Sequence, residues 1–266
     1  MCGPKIVAPF LIDCLQIQQK KNESACLITN KDLKSGDVLA FEKPFVGVLK
    51  HHSLYNRCAN CMKESALKLI PCEICAYVMF CSENCKIAGF ELHQHECGIE
   101  DIYKLASKND NFYSLPRLIL KHLYLFDGSV EKMKEFLEEK NPSPPGDSFT
   151  LDICNNEKSL IKAVYSRYKE IMYDYDNEIL LECYFSLYPK IKETMANIEL
   201  RSFMCRFLDL ILYHTIGNES TSGFYLLQAV MQSSCAPNVH SVIREDGKMI
   251  YVVQHPIKAG EKITIT

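Results

Sequence analysis

Eight residues between Cys58 and Cys97 have the types and spacings of metal ligands. Cys58/Cys61 and Cys72/Cys75 form two C-x2-C pairs, Cys81/Cys85 a C-x3-C pair, and His93/Cys97 an H-x3-C pair. Thiolate and imidazole donors at such separations turn onto one tetrahedral zinc ion. Eight donors make two closed four-coordinate sites with no position left for water or substrate, so the two zinc ions expected here are structural rather than catalytic. His95 is the alternative histidine, but its single-residue gap to Cys97 suits chelation less well. A redox role fits poorly, because thioredoxin-like C-x-x-C sites do not come as four paired units. So short a segment buries little core, and bound metal supplies its folding energy.

The rest of the chain sets the context for that cluster. Of 14 cysteines, the seven outside residues 58–97 are scattered singly and read as small buried hydrophobes. The longest early apolar run, Ile6–Ile12, is too short to span a bilayer and contains Pro9. It has neither the basic n-region nor the small-residue cleavage site of a signal peptide. So many cysteines without such a leader point to a reducing, intracellular compartment, nucleus or cytoplasm, rather than to disulfides. With 266 residues, 47% hydrophobic and a net charge of −3, the chain can bury a sizeable core and carries no polyanion-binding signal. Between Cys58 and Cys97 three lysines (63, 68, 86) face five glutamates (64, 73, 83, 91, 96) before any thiolate is counted. Such a segment has no phosphate-gripping face, so direct nucleic-acid binding is not expected and a protein surface is the better partner.

The elements that must position the cluster are β-rich at both ends of the chain and helical between. Residues 26–50 read as short strands around the Lys34-Ser35-Gly36-Asp37 turn. Ile257-Lys258-Ala259-Gly260-Glu261-Lys262-Ile263 repeats the design of Leu33-Lys34-Ser35-Gly36-Asp37-Val38-Leu39, which places the two ends in one domain. In the middle, Leu115, Leu118, Ile119, His122, Leu123 and Phe126 form one helical stripe. Leu160, Ile161, Val164, Tyr165, Tyr168, Ile171 and Met172 form another. A further helix is expected over about 178–212, interrupted at Pro189, and an exposed loop at Asn141–Asp147.

In order and spacing, the eight ligands resemble a MYND zinc finger, a protein-interaction module. In that family the ligand pairs interleave. Carried over, Cys58, Cys61, Cys81 and Cys85 would hold one ion and Cys72, Cys75, His93 and Cys97 the other. The flanks resemble a SET domain split by the finger, the layout of the SET-and-MYND lysine methyltransferases. Three segments carry this resemblance: NKDLKSGDVLAFEKPFV, GFYLLQAVMQSSCAPN and IKAGEKITIT.

The resemblance implies an α+β fold, a β-rich SET fold split by an inserted two-zinc MYND finger and a helical insertion. Its parts would be 1–50, the N-terminal piece of the SET domain; 58–97, the finger; 98–200, the helical insertion; and 201–266, the C-terminal piece of the SET core. That last piece stops before the family's tyrosine and post-SET segment. The S-adenosylmethionine cradle would fall on Ser24, Cys26, Gln232 and Ser233. Ser24 and Cys26 stand where the family has the glycines of its G-x-G loop, and a Cβ there intrudes on the cofactor's space. Gln232-Ser233 stand where it has an Asn-His pair. Ser234-Cys235-Ala236-Pro237-Asn238 keeps the pattern, with Pro237 and Asn238 expected to hold an unusual chain crossing. Methyl transfer depends on positioning both reactants, an effect that can be worth ~7–11 kcal/mol, and these changes touch that positioning. The expectation is a SET–MYND protein with a degenerate cofactor site and no assigned catalytic residue. It would act through its finger on protein partners, proline-containing peptides or corepressors, in chromatin or transcriptional regulation. The alternative is an active protein-lysine N-methyltransferase that binds S-adenosylmethionine and a lysine-bearing protein substrate.

Overall fold

The computed structural model describes residues 14–20, 25–65, 68–94, 96–98, 117, 119, 121–139, 148–152, 157–168 and 196–266. The chain opens with strands β1 (Leu15–Lys20), β2 (Cys26–Thr29), β3 (Val38–Glu42) and β4 (Val46–Leu49). The cysteine-rich segment adds the short strands β5 (Ile70–Pro71) and β6 (Met79–Phe80) and helix α1 (Glu83–His93). Next come α2 (Val130–Glu138), β7 (Ser148–Asp152), α3 (Glu157–Tyr168) and α4 (Ile198–Tyr213). The last stretch holds β8 (Thr215–Gly217), β9 (Thr221–Phe224), the short α5 (Leu226–Val230), β10 (Gln232–Ser233), β11 (Val239–Ile243), β12 (Met249–Val253) and β13 (Thr264–Ile265). Helices and mainly antiparallel sheets in separate stretches make the class α+β.

Each three-stranded sheet joins an early strand to a later one. The orders are β2-β1-β7, β11-β12-β3 and β4-β9-β8, all antiparallel. Both ends of the chain therefore build one body. The repeated turns meet face to face: Leu33 N–H donates to the Ile257 carbonyl at 2.8 Å and Ile257 N–H returns to Leu33 at 3.1 Å. Gly36 (φ +91°) and Gly260 (φ +85°) supply the left-handed turn residue that a Cβ would strain.

The helices cover this sheet system. Ile119, His122, Leu123 and Phe126 of the first predicted stripe are all buried; Leu115 and Leu118 lie outside the described residues. The His122 ring sits edge-on to Phe45 (4.7 Å between centroids) and to Phe207 of α4 (4.8 Å), joining helices to strands. Leu160, Ile161, Val164 and Tyr165 of the second stripe are buried on α3, which ends at Tyr168. Of the helix expected over 178–212, the described part is α4, opened by the Asn197 side chain accepting from Glu199 and Leu200 N–H groups at 2.9 and 3.3 Å. The remainder, with Pro189, and the Asn141–Asp147 loop lie outside the described residues.

One element departs from the helical middle. Ser148–Asp152 is a strand, paired along the open edge of β1 from Gln16↔Asp152 to Lys20↔Ser148. A five-residue run has no helical or strand periodicity strong enough to read alone, and an available sheet edge decided it.

Candidate metal centre

The finger is built from two knuckles, a β-hairpin and one helix. After each C-x2-C pair the chain turns through a left-handed residue, Met62 (φ 60°) and Ala76 (φ 53°). Neither is glycine, so each knuckle holds a conformation that costs an L-residue about 1 kcal/mol. The backbone is turned there so that N–H groups point at sulfur: those of Cys75 and Ile74 reach the Cys72 thiol, and that of Lys63 reaches Cys61. β5 and β6 pair at Ile70↔Phe80 and Pro71↔Met79, which carries the chain from the second knuckle to Cys81.

Helix α1 explains how the eight ligands sort. Ser82 caps it, its hydroxyl accepting from Cys85 N–H at 3.2 Å. Cys85 stands in its first turn and His93 in its last, about 12 Å apart at 1.5 Å per residue. One ion cannot reach both. Cys85 joins Cys58, Cys61 and Cys81, and His93 joins Cys72, Cys75 and Cys97. Within each group the ligand atoms lie within 4.8 Å of one another. This is the interleaved pairing that the resemblance implied. The helix fits closely against the hairpin: a Cβ at Gly89 would stand 2.7 Å from the Phe80 ring.

The spacings test whether zinc fits. A tetrahedral ion with Zn–S of about 2.3 Å sets S···S edges of about 3.8 Å, whereas a disulfide draws two sulfurs to about 2.05 Å. Cys61–Cys81 is 3.6 Å, Cys81–Cys85 3.5 Å and Cys72–Cys97 3.6 Å. His93 Nε2 lies 3.4 Å from the Cys75 sulfur. The donor sets and edges fit two tetrahedral zinc ions. Burial, with the Arg117 charge nearby, pushes His93 down to about 4, so at neutral pH the imidazole is in its uncharged, ligating form. Burial pushes the Cys61 and Cys97 thiols up to about 12. Crowded thiols of this kind keep their protons until a cation displaces them, so metal uptake releases protons. His95 lies outside the described residues.

Two arginines tie the finger to the body. Arg117 Nε donates to both carboxylate oxygens of Glu96 at 2.9 Å, with both side chains buried. Arg57 donates to the Met62 carbonyl at 3.2 Å and across to the Glu245 carbonyl at 2.9 Å, and pairs with Glu64 at 3.2 Å.

The residues assigned to a cofactor cradle gather around the last strand of the chain. Ile263 N–H donates to the Leu27 carbonyl at 2.8 Å, and β10 pairs parallel with β13, Gln232 opposite Thr264. Cys26 and Gln232 thus flank the same C-terminal segment. Alternation along β2 puts Ala25 and Leu27 in the main core and Cys26 on the opposite face, where it is still only 2% exposed. Gln232 is half-buried and Ser233 exposed. Ser24 lies outside the described residues. Asn238 clamps the crossing. Its amide donates to the Lys262 carbonyl at 2.8 Å, and its side-chain oxygen accepts from Thr264 N–H at 2.8 Å.

Just upstream sits a group the sequence reading passed over. Glu42 is buried and accepts from Leu227 N–H at 2.9 Å at the start of α5, and from the Tyr251 hydroxyl. Burial raises it to about 7. The only sign in the sequence is one glutamate closing the apolar run VLAFE. Tyr225, just ahead of α5, is part of the core: it is buried and its hydroxyl donates to the Gly247 carbonyl at 2.6 Å.

Comparison with known proteins agrees with this geometry. Residues 58–97 match the family model of the MYND finger. The chain is similar to the histone-lysine N-methyltransferase ASHR1 of Arabidopsis thaliana, 24% identical over 263 residues, which is 97% of this chain and 50% of that protein. It is 33% identical over 91 residues to the human protein-lysine N-methyltransferase SMYD4, covering 27% of this chain and 11% of that protein. A SET and MYND domain-containing protein of Dictyostelium discoideum is 32% identical over 87 residues, 31% of this chain and 22% of that protein. The chain thus spans half or less of the length of these relatives. Among the described residues no helix is long and apolar enough to cross a membrane.

Proposed function

The chain belongs to the SET-and-MYND family, and on that premise we propose that it works chiefly through its finger, as a zinc-organised docking module for protein partners. In this reading Cys58, Cys61, Cys81 and Cys85 hold one zinc, and Cys72, Cys75, His93 and Cys97 hold the other. The ions cross-link the knuckles to α1 and supply no chemistry beyond that. The observation that carries the reading is the completeness of both four-ligand groups at tetrahedral spacing. Ile74 (73% exposed), Ile87 (73%) and Phe90 (40%) supply apolar surface on the finger for a proline-containing or corepressor-type peptide. The body is a SET fold split by the finger, and the protein acts inside the cell, in nucleus or cytoplasm, on chromatin or transcription.

The same reading takes the S-adenosylmethionine cradle as degenerate. The buried Cys26 side chain occupies a strand face where a glycine would leave bare backbone for a cofactor to approach. Gln232 and Ser233 offer an amide and a hydroxyl in place of an amide and an imidazole. The second reading, an active protein-lysine N-methyltransferase, draws on the likeness to ASHR1 along 97% of the chain and on the Asn238 clamp. Calorimetric titration of S-adenosylmethionine into the zinc-loaded chain separates the two. No heat at millimolar cofactor is the expected result. Binding at micromolar strength overturns the degenerate cradle and favours the methyltransferase.

A further inference from the structure

Where the finger docks on the body, the two line a partly open cavity of about 420 Å³. The finger contributes Ala59–Lys63 with Ala88, Gly89 and Leu92 of α1; the body contributes Lys43–Gly47, Asp246 and Lys248; the helical part contributes Arg117 and Lys121. Five of these side chains are basic and one is acidic, in a chain whose net charge is −3. The charges do not cancel locally. Arg117 is neutralised by Glu96, and Asp246 by Lys248 at 2.8 Å and Arg244 at 3.5 Å. Lys43, Lys63 and Lys121 form no ion pair among the described residues. The Lys121 ammonium donates to the Phe45 carbonyl and lies 4.8 Å from the centre of the Phe45 ring. Burial lowers it to about 8, with Glu157 and Glu91 acting against that shift from farther off. A cation so desolvated gains from any anion that enters.

We propose that this seam binds a small phosphate monoester carrying a compact apolar group. Lysine meets phosphate as a point charge, whereas bidentate capture of a carboxylate wants a free guanidinium, and Arg117 is already committed to Glu96. Three lysines outside any ion pair among the described residues match a dianion. Pro44, Phe45, Val46, Ala88 and Leu92 supply the apolar wall. The volume suits a small ligand or the smaller cofactors. Because finger and body each provide part of the lining, an occupant holds the two together. The site depends neither on methyl transfer nor on peptide docking.

The test uses the full zinc-loaded chain and phenyl phosphate as probe, titrated calorimetrically in roughly 0.1 M salt, where exposed charges beyond about 10 Å are screened. Phenyl phosphate binds, and inorganic phosphate, which lacks the apolar group, and benzyl alcohol, which lacks the charge, each bind at least about tenfold more weakly. Lys43→Glu with Lys63→Glu, both exposed and so compatible with folding, weakens phenyl phosphate at least about tenfold. Lys34→Glu, an exposed lysine in the Gly36 turn away from the seam, leaves it unchanged. Absence of phenyl phosphate binding overturns the proposal. So does equal binding of inorganic phosphate, a Lys43/Lys63 variant that binds normally, or an equal loss in Lys34→Glu.

Discussion

The finger and the C-terminal crossing are both places where distant parts of the chain are fastened together, and they use opposite means. The finger has a minor core, and its fastening is eight side-chain donors in two groups. The crossing has almost no functional side chains of its own. It is fastened by backbone pairing of β10 with β13, by the two side-chain hydrogen bonds of Asn238, and by Glu42 holding the start of α5. The difference teaches where each region tolerates change. A ligand group fails when one donor is lost, because the ion cannot be satisfied by a neighbour. A hydrogen-bonded crossing loses one contact at a time. In the proposed reading the departures from the family pattern at positions 26, 232 and 233 fall in the tolerant region, and all eight candidate ligands are present in the intolerant one.

The largest break in this comparison is a single ligand change. Cys72→Ser should lower bound zinc from two ions to one per chain, counted by elemental analysis. It should also abolish hydrogen-exchange protection in α1, whose last turn carries His93 of the same group. Structural zinc in small fingers is worth about 10–16 kcal/mol, far more than the finger's core can replace. Full zinc content in that variant would sink the grouping.

On the crossing side the effects are smaller and one depends on pH. Glu42 keeps its proton up to about pH 7 in the folded chain and releases it near 4.5 when unfolded. The native state therefore binds more protons between those values, and stability falls as pH rises through the window by about 3 kcal/mol. Below the window the contribution is flat, and above it the loss is complete. Glu42→Gln keeps an acceptor for Leu227 N–H and removes the ionisation. Urea unfolding of both proteins from pH 4 to 8 should show a slope in the native chain that the variant lacks. Parallel curves would mean that folding leaves the ionisation of Glu42 unshifted.

Smallest is the clamp. Asn238→Ala removes both bonds that its side chain makes, to Lys262 and Thr264, and should cost about 2 kcal/mol in chemical denaturation with zinc content unchanged. A loss of zinc in that variant would show that the two fastenings are not independent.

The sequence by itself determined the ligands, because metal coordination depends on residue type and local spacing, both of which a linear chain displays. It also determined the paired turns, since Lys-small-Gly-acid recurs at Gly36 and Gly260 wherever a left-handed residue must be followed by a strand. The stripe through Ile119, His122, Leu123 and Phe126 was legible for the same reason: its period is local. What only the tertiary structure decided lies between segments far apart in the chain. Ser148–Asp152 became a strand because β1 offered an edge. Residue type alone could not sort the eight donors; α1 does so by separating Cys85 from His93 by more than two turns. Glu96 finds Arg117, Glu42 finds Leu227 and Tyr251, and three lysines converge on the seam. No local pattern announces such meetings, because burial and charge at a site are properties of everything folded around it.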